Sequence, residues 1–335
     1  GPAWAQAFDA AKAFGAREGI EQASLSPDGT KLAYIAPARG QASAVSVVPV
    51  DGSTAPKAIA ASDGKPERVS GCRWASNTRL LCTIYGVVRV TEGLIVSTRV
   101  AAMDDDGANM KALSHTRGTG DQLGYATFGG SVIDWNPGAD GQVMMIRQYV
   151  PETTTGTRLA QIEEGIGVDL IDATTLRSRS VEKPSPGAGE FLTDGHGNVR
   201  VMGRAQARDG YTTGVRAYSY RRKGSKAWEP LSTVGPDNAG FDPHGVDPAL
   251  DAAYGLKRVD GKLAAFTRAL DGSGAEKLVY AHPHVDVTGF ARIGRNGRII
   301  GATYSTDVPA VEYFDPAVAR LVQSGDARLV HELAH

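Results

Sequence analysis

The chain has 335 residues, of which 41% are hydrophobic and 22% charged, with a formal net charge of −1. That length and balance fit a globular protein of one large repeat fold or two domains. They give no overall drive toward nucleic acid or an anionic membrane, and no apolar run approaches the roughly 18 residues of a membrane span.

The first residues carry Ala3-Trp4-Ala5 and Ala5-Gln6-Ala7, both of the small-x-small kind that precedes signal-peptidase cleavage. Residues 1–13 are therefore expected to be a leader remnant or an N-terminal arm, and the protein to be periplasmic or secreted. An alanine-rich helix start over residues 8–17 is the other reading.

From there a repeated unit begins. An apolar strand runs into a turn of Pro, Asp, Asn and Gly, and a second apolar strand returns. Its clearest copy is Ser26-Pro27-Asp28-Gly29-Thr30-Lys31-Leu32-Ala33-Tyr34, in which Asp28-Gly29 supplies the positive φ of a tight hairpin. Looser copies cover residues 69–84, 131–146, 191–201, 247–256 and 290–300. Between them lies a second hairpin type, seen at residues 47–52, 100–107, 168–172 and 266–272. Two hairpins make a four-stranded unit, repeating about every 50–60 residues. The 41 glycines are spread along the chain, as many tight turns require.

The expected fold is all-β: a β-propeller of four-stranded antiparallel blades over residues 14–315. The copies amount to about five blades and part of a sixth. The chain then enters a helical segment at 316–335, so the ring is expected to be incomplete, cut before closure.

Cys72 and Cys82 are the two cysteines, and they flank a hairpin with its turn at Ser76-Asn77-Thr78. Antiparallel pairing centred on Asn77 sets them opposite each other, near the short end of disulfide geometry. The spacing and the exported compartment favour a disulfide over two buried thiols.

Chemistry-bearing motifs are few. His331-Glu332-Leu333-Ala334-His335 matches the H-E-x-x-H zinc pattern, but no third ligand follows it and the rest reads as β-repeats. His282-Pro283-His284 is expected to be splayed by its proline. No G-x-S-x-G elbow, P-loop or dinucleotide fingerprint occurs. No catalytic residue, metal or cofactor is therefore assigned. The basic cluster Arg221, Arg222, Lys223 and Lys226 reads as a solvated hairpin tip. The acidic pair Glu163-Glu164, in a threonine-rich insertion, is of the kind that holds a peptide's free amino terminus by charge-assisted hydrogen bonds. A solvated loop is the preferred reading of the same residues. Arg89 and Glu92, in the insertion at 87–97, are treated alike.

The stretch Ser26 through Tyr34 quoted above is similar to the opening blade of prolyl oligopeptidase-family enzymes. Ala281-His282-Pro283-His284-Val285-Asp286-Val287, Ile300-Gly301-Ala302-Thr303-Tyr304 and Tyr313-Phe314-Asp315-Pro316 resemble a subgroup of bacterial exported peptidases, similar to dipeptidyl and acylaminoacyl peptidases. Lasso-peptide isopeptidases belong to the same broad group. The resemblance runs from about residue 14 to 315. It implies a serine peptidase whose propeller gates access to a C-terminal α/β-hydrolase domain and selects peptide substrates. That domain is absent from this chain and is expected in cis or as a second chain. No family catalytic residue maps onto a position here, so this chain alone is expected to be inactive. The alternatives are a stand-alone propeller binding module and, as a minor one, a zinc metallopeptidase using His331, Glu332 and His335.

Overall fold

The computed structural model describes residues 17–90, 93–114, 127–152 and 162–324. The chain divides into two compact units, Gly1–Leu113 and Ser114–His335.

The first unit holds two four-stranded antiparallel sheets, each a simple meander. Sheet 1 comprises β1 (Gln22–Leu25), β2 (Lys31–Pro37), β3 (Ser43–Pro49) and β4 (Lys57–Ser62). Sheet 2 comprises β5 (Glu67–Ser76), β6 (Arg79–Val90), β7 (Gly93–Asp104) and β8 (Lys111–Ala112). The alternation on β2 and β3 puts Ala33, Ile35, Val45 and Val47 on one face, as a period of two dictates. That face packs on Cys72, Trp74, Leu80, Cys82 and Met103 of sheet 2. Trp74 is 3% exposed and its Nε1 donates to the Ser24 carbonyl at 2.8 Å, so the indole buries its ring without orphaning its N–H.

The expected turn and pairing hold. Cys72 stands opposite Cys82 in the β5–β6 register, with Cα atoms 4.1 Å apart and the sulfurs joined. Asp28 organises the first hairpin: its carboxylate accepts from the Ser26 and Thr30 hydroxyls and the Thr30 amide. Those bonds hold its carboxyl below the usual aspartate range.

The second unit carries four more sheets. Sheet 3 comprises β9 (Ser131–Asp134), β10 (Gln142–Tyr149), β11 (Gly165–Asp172) and β12 (Ser178–Ser185). Sheet 4 is β13 (Ala188–Thr193), β14 (Val199–Arg208), β15 (Tyr211–Tyr220) and β16 (Glu229–Val234). Sheet 5 is β17 (Asp242–Asp247), β18 (Ala252–Val259), β19 (Lys262–Ala269) and β20 (Glu276–Tyr280). Sheet 6 has three strands, β21 (Val287–Ile293), β22 (Arg298–Ser305) and β23 (Pro309–Tyr313), followed by helix α1 (Pro316–Ser324).

Neighbouring sheets of this unit pack in chain order. Met144 and Val168 of sheet 3 meet Phe191 and Met202 of sheet 4. Tyr218 and Leu231 of sheet 4 meet Phe241 and Leu270 of sheet 5, and Leu256 and Ala265 of sheet 5 meet Val287 and Ala302 of sheet 6. Charged groups join the same pairs. Arg221 bonds Glu182 across sheets 4 and 3 and stacks 3.9 Å over Trp228. It is thus drawn inward from the solvated tip expected of its basic cluster, because an aromatic face and a carboxylate lie within its reach. Arg200 bonds Asp251 at 2.6 Å across sheets 4 and 5. The β9–β10 and β21–β22 turns also meet: Arg295 donates to the Trp135 carbonyl at 2.6 Å, and Asn136 to Asn296 at 3.2 Å.

The fold is all-β, built of six antiparallel meanders with the order and pairing of β-propeller blades. Among the described residues the expectation of about five blades and part of a sixth is corrected to six, the last three-stranded. A short turn at 306–308 returns the chain as β23 before the helix begins, where the sequence reads as already leaving the repeat. The reason to expect an incomplete ring, a last blade barely begun, goes with that count. One hairpin outgrows its sheet. Pairing of β14 to β13 stops at Arg204 and of β15 to β16 at Arg216, so residues 204–214 form a two-stranded ribbon that is exposed throughout.

Cys72 and Cys82 are both 0% exposed, so a reductant must open the sheet to reach them. Mild reductant on the native chain is expected to leave thiol titration near zero, and added denaturant to release both thiols. Replacing both cysteines by alanine is expected to cost about 2–3 kcal/mol in urea unfolding, from loss of the closed loop.

Candidate functional site

A cavity of about 520 Å³ opens at one end of the second unit, where sheets 3 and 4 adjoin. Three strand ends frame it. The end of β10 supplies Gln148 and Tyr149, the start of β11 supplies Gly165 and Ile166, and the turn into β13 supplies Pro186 and Gly187. Glu164 sits on the rim, its carboxylate exposed to solvent.

The frame is held from beneath. Arg147 and Tyr149 alternate onto one face of β10, and both reach Asp169 on β11. Arg147 Nη1 lies 3.0 Å and the Tyr149 hydroxyl 2.7 Å from Asp169 Oδ2. The ion pair is buried, at 7% and 4% side-chain exposure. Burial pushes the Tyr149 phenol up, and its bond to the Asp169 carboxylate pushes it further. Tyr149 therefore stays a neutral donor and keeps its ring fixed at the cavity wall. Gln148 is set by accepting the Phe128 amide at 3.0 Å.

Gly165 closes the frame. Its φ is +106°, and a Cβ there would stand 2.4 Å from the Ser185 carbonyl. Only glycine allows β11 to start this close to the end of β12. Beside the cavity, Gly187 O accepts the Ala205 amide at 2.9 Å, where the exposed ribbon begins.

The structure treats the candidate residues differently. Glu164 reaches the cavity rim; Glu163, next to it, is exposed and contributes to raising the Tyr149 phenol. Arg89 is exposed on β6 of the first unit, opposite Leu94, and Glu92 lies outside the described residues. Cys72 and Cys82 are brought together. His331, Glu332 and His335 also lie outside the described residues. Among the described residues no three His, Cys, Asp or Glu side chains stand close enough to hold a metal. The ring of His282 is stacked 4.7 Å from Tyr304, and its Nδ1 accepts the amides of His284 and Val285, so backbone geometry uses that histidine.

Tyr149, Arg147 and Asp169 were not singled out from sequence. Their signal is an i, i+2 Arg-Tyr pair whose direct partners on β11 are Gly167 and Gly165, which leave room to reach Asp169 further along that strand, visible once the β10–β11 register is known.

No helix among the described residues is long and apolar enough to cross a membrane. No protein-family model matches the sequence, and no curated protein matches it. Among solved structures the chain is similar to an acylaminoacyl peptidase bound to Z-Gly-Gly-Phe-chloromethyl ketone, at 11% identity and a TM-score of 0.47, over 92% of this chain and 46% of that one. The acylaminoacyl peptidase of Pyrococcus horikoshii is similar at 11% identity and a TM-score of 0.48, over 92% and 47% of the two chains. The β-propeller domain of the Trilobed protease from Pyrococcus furiosus is similar at 12% identity and a TM-score of 0.45, over 90% and 86%. The chain spans about half the length of the two acylaminoacyl peptidases.

Arg147→Met leaves the Asp169 carboxylate buried with the Tyr149 hydroxyl as its side-chain partner. This substitution is expected to lower stability by about 3–5 kcal/mol, the usual cost of breaking a buried pair from one side. Arg147→Met combined with Asp169→Leu should recover part of that loss in urea titrations. Equal losses in the single and double variants would show that the charge left behind is not the cause.

Proposed function

We propose that this chain is the propeller portion of an exported serine peptidase, which admits and selects peptides for an α/β-hydrolase domain in cis or on a second chain. The sequence resemblance supplies the family. The observation that carries the binding role is the cavity beside Glu164: a pocket of peptide side-chain size, with a rigid aromatic wall and one carboxylate at its mouth.

The chemistry follows from that arrangement. A peptide's amino terminus is a cation with three donors, and Glu164 is an acceptor placed where the first side chain could enter the cavity. Glu163, exposed next to Glu164 in the chain, is a second negative charge nearby.

Calorimetric titration with short apolar peptides tests the reading. Peptides with a free amino terminus are expected to bind roughly tenfold more tightly than their N-acetylated counterparts, about the worth of one charge-assisted bond. The variant E164Q should erase that difference while leaving the N-acetylated peptide's affinity unchanged. Equal binding of both peptides by the wild-type chain, or preference for the acetylated one, would overturn the amine-capture role.

A further inference from the structure

Away from the cavity rim, the second unit holds three oxygen acids in a line. Tyr218 on β15 is 2% exposed. Its hydroxyl lies 2.8 Å from Glu190 Oε2 on β13 and 2.8 Å from Asp242 Oδ1 on β17. The line joins sheet 4 to sheet 5. It exists because Gly203 lies opposite Glu190 on β14: a Cβ there would stand 2.6 Å from the Tyr218 ring. Without a side chain at 203, the phenol crosses β14 and reaches a strand two places away.

The hydrogen count does not close with all groups in their ordinary states. A phenol carries one hydrogen and donates it once. Two ionised carboxylates on the same hydroxyl would leave one of them facing an oxygen lone pair at 2.8 Å, on a tyrosine that is itself 2% exposed. A second hydrogen is needed, and only a carboxyl group can supply it.

The surroundings decide which one. Asp242 is the anion: Arg216 Nη2 donates to its Oδ2 at 2.9 Å, and His244 Nε2 stands 3.7 Å from the same atom. Glu190 has no ion-pair partner among the described residues. The charged and titratable groups facing the line are Arg216 from β15 and Asp242 and His244 from β17. Arg292 of β21 is turned to the His244 carbonyl. None is a cation in contact with Glu190.

We infer that Glu190 holds a proton at neutral pH and donates it to Tyr218, which donates its own to Asp242, making a proton-set latch between sheets 4 and 5. The electrostatics agree with the count. Burial pushes the Glu190 carboxyl up, and with the Asp242 charge it outweighs the lowering by the Tyr218 bond and by the His244 and Arg216 charges. Burial also pushes Asp242 up, but His244, Tyr218 and Arg216 together hold it below the usual aspartate range. Burial and both carboxylates push the Tyr218 phenol far up, so it remains a donor.

The sign follows from linkage. A carboxyl whose folded value is raised contributes stability that is complete below the ordinary glutamate range. That contribution is lost as pH rises through the folded value. The latch is therefore closed in acid and neutral solution and loosens in alkali. Ionised Glu190 would have to leave Tyr218, and with it would move β13, whose first residue, Ala188, lines the cavity.

Infrared spectroscopy of the full chain tests this. At neutral pH we expect a protonated-carboxyl band that shifts when glutamate side chains are carboxyl-labelled with carbon-13, does not shift when aspartate is labelled, and is lost in E190Q. The side-chain amide in E190Q can still donate to Tyr218, so this variant should melt at a temperature that stays level where the wild type falls with rising pH. If E190Q does not fold, the labelled wild-type band decides: its presence in the folded chain and loss on unfolding in urea at the same pH support the latch. Absence of a glutamate band in the folded wild type, survival of that band in E190Q, or an equal pH slope in both proteins would overturn it.

Discussion

A four-stranded meander has two faces and, alone, cannot bury either. Every sheet of this chain depends on that constraint. Ile35 and Val45 of sheet 1 are enclosed only because Trp74 and Leu80 of sheet 2 lie over them. In the second unit the same need passes along the chain: Phe191 and Met202 of sheet 4 close sheet 3, while Tyr218 and Leu231 of sheet 4 are closed by Phe241. Stability is then a property of neighbouring pairs rather than of single sheets. A deletion within one sheet strips cover from the next, so repeats of this kind stand or fall in contiguous groups.

Apolar packing alone leaves the pairing of sheets loosely specified, since one valine-rich face fits another. Directional contacts narrow the choice. Trp74 reaches the Ser24 carbonyl, Arg200 reaches Asp251, and Arg221 combines a carboxylate from sheet 3 with the face of Trp228. Each links one sheet to a particular neighbour at a particular height. Arg147 and Asp169 do the same between adjacent strands, where Asp169 also holds the cavity-lining Tyr149.

Local features were legible in the sequence. Asp28-Gly29 marked the first hairpin and Asn77 the second. Cys72 and Cys82 could be paired because they stand ten positions apart around one turn. Contacts set by the stacking of strands were not legible. Glu163-Glu164 could be noticed as a pair, but Glu164's place on a cavity depends on where β10, β11 and the turn before β13 stop. Tyr218 reads as an ordinary inward-facing strand residue until Gly203 is seen to open a path across β14. The sixth blade was undercounted because β23 is five residues long and runs almost directly into a helix, which hides its period of two.

The ribbon at 204–214 leaves open strand edges of the kind that recruit another chain. Its sequence answers that hazard. Arg204 and Arg208 are both exposed on β14, Arg208 at 87% and 4.0 Å from Asp209 at 91%. Two copies meeting edge to edge would set guanidinium groups against each other, a pairing that sheets disfavour. This guard is electrostatic and works at the surface, so its reach is set by the Debye length. Colloidal behaviour should follow ionic strength: in dilute salt the arginines keep neighbouring molecules apart, and in concentrated salt the same edge becomes adhesive.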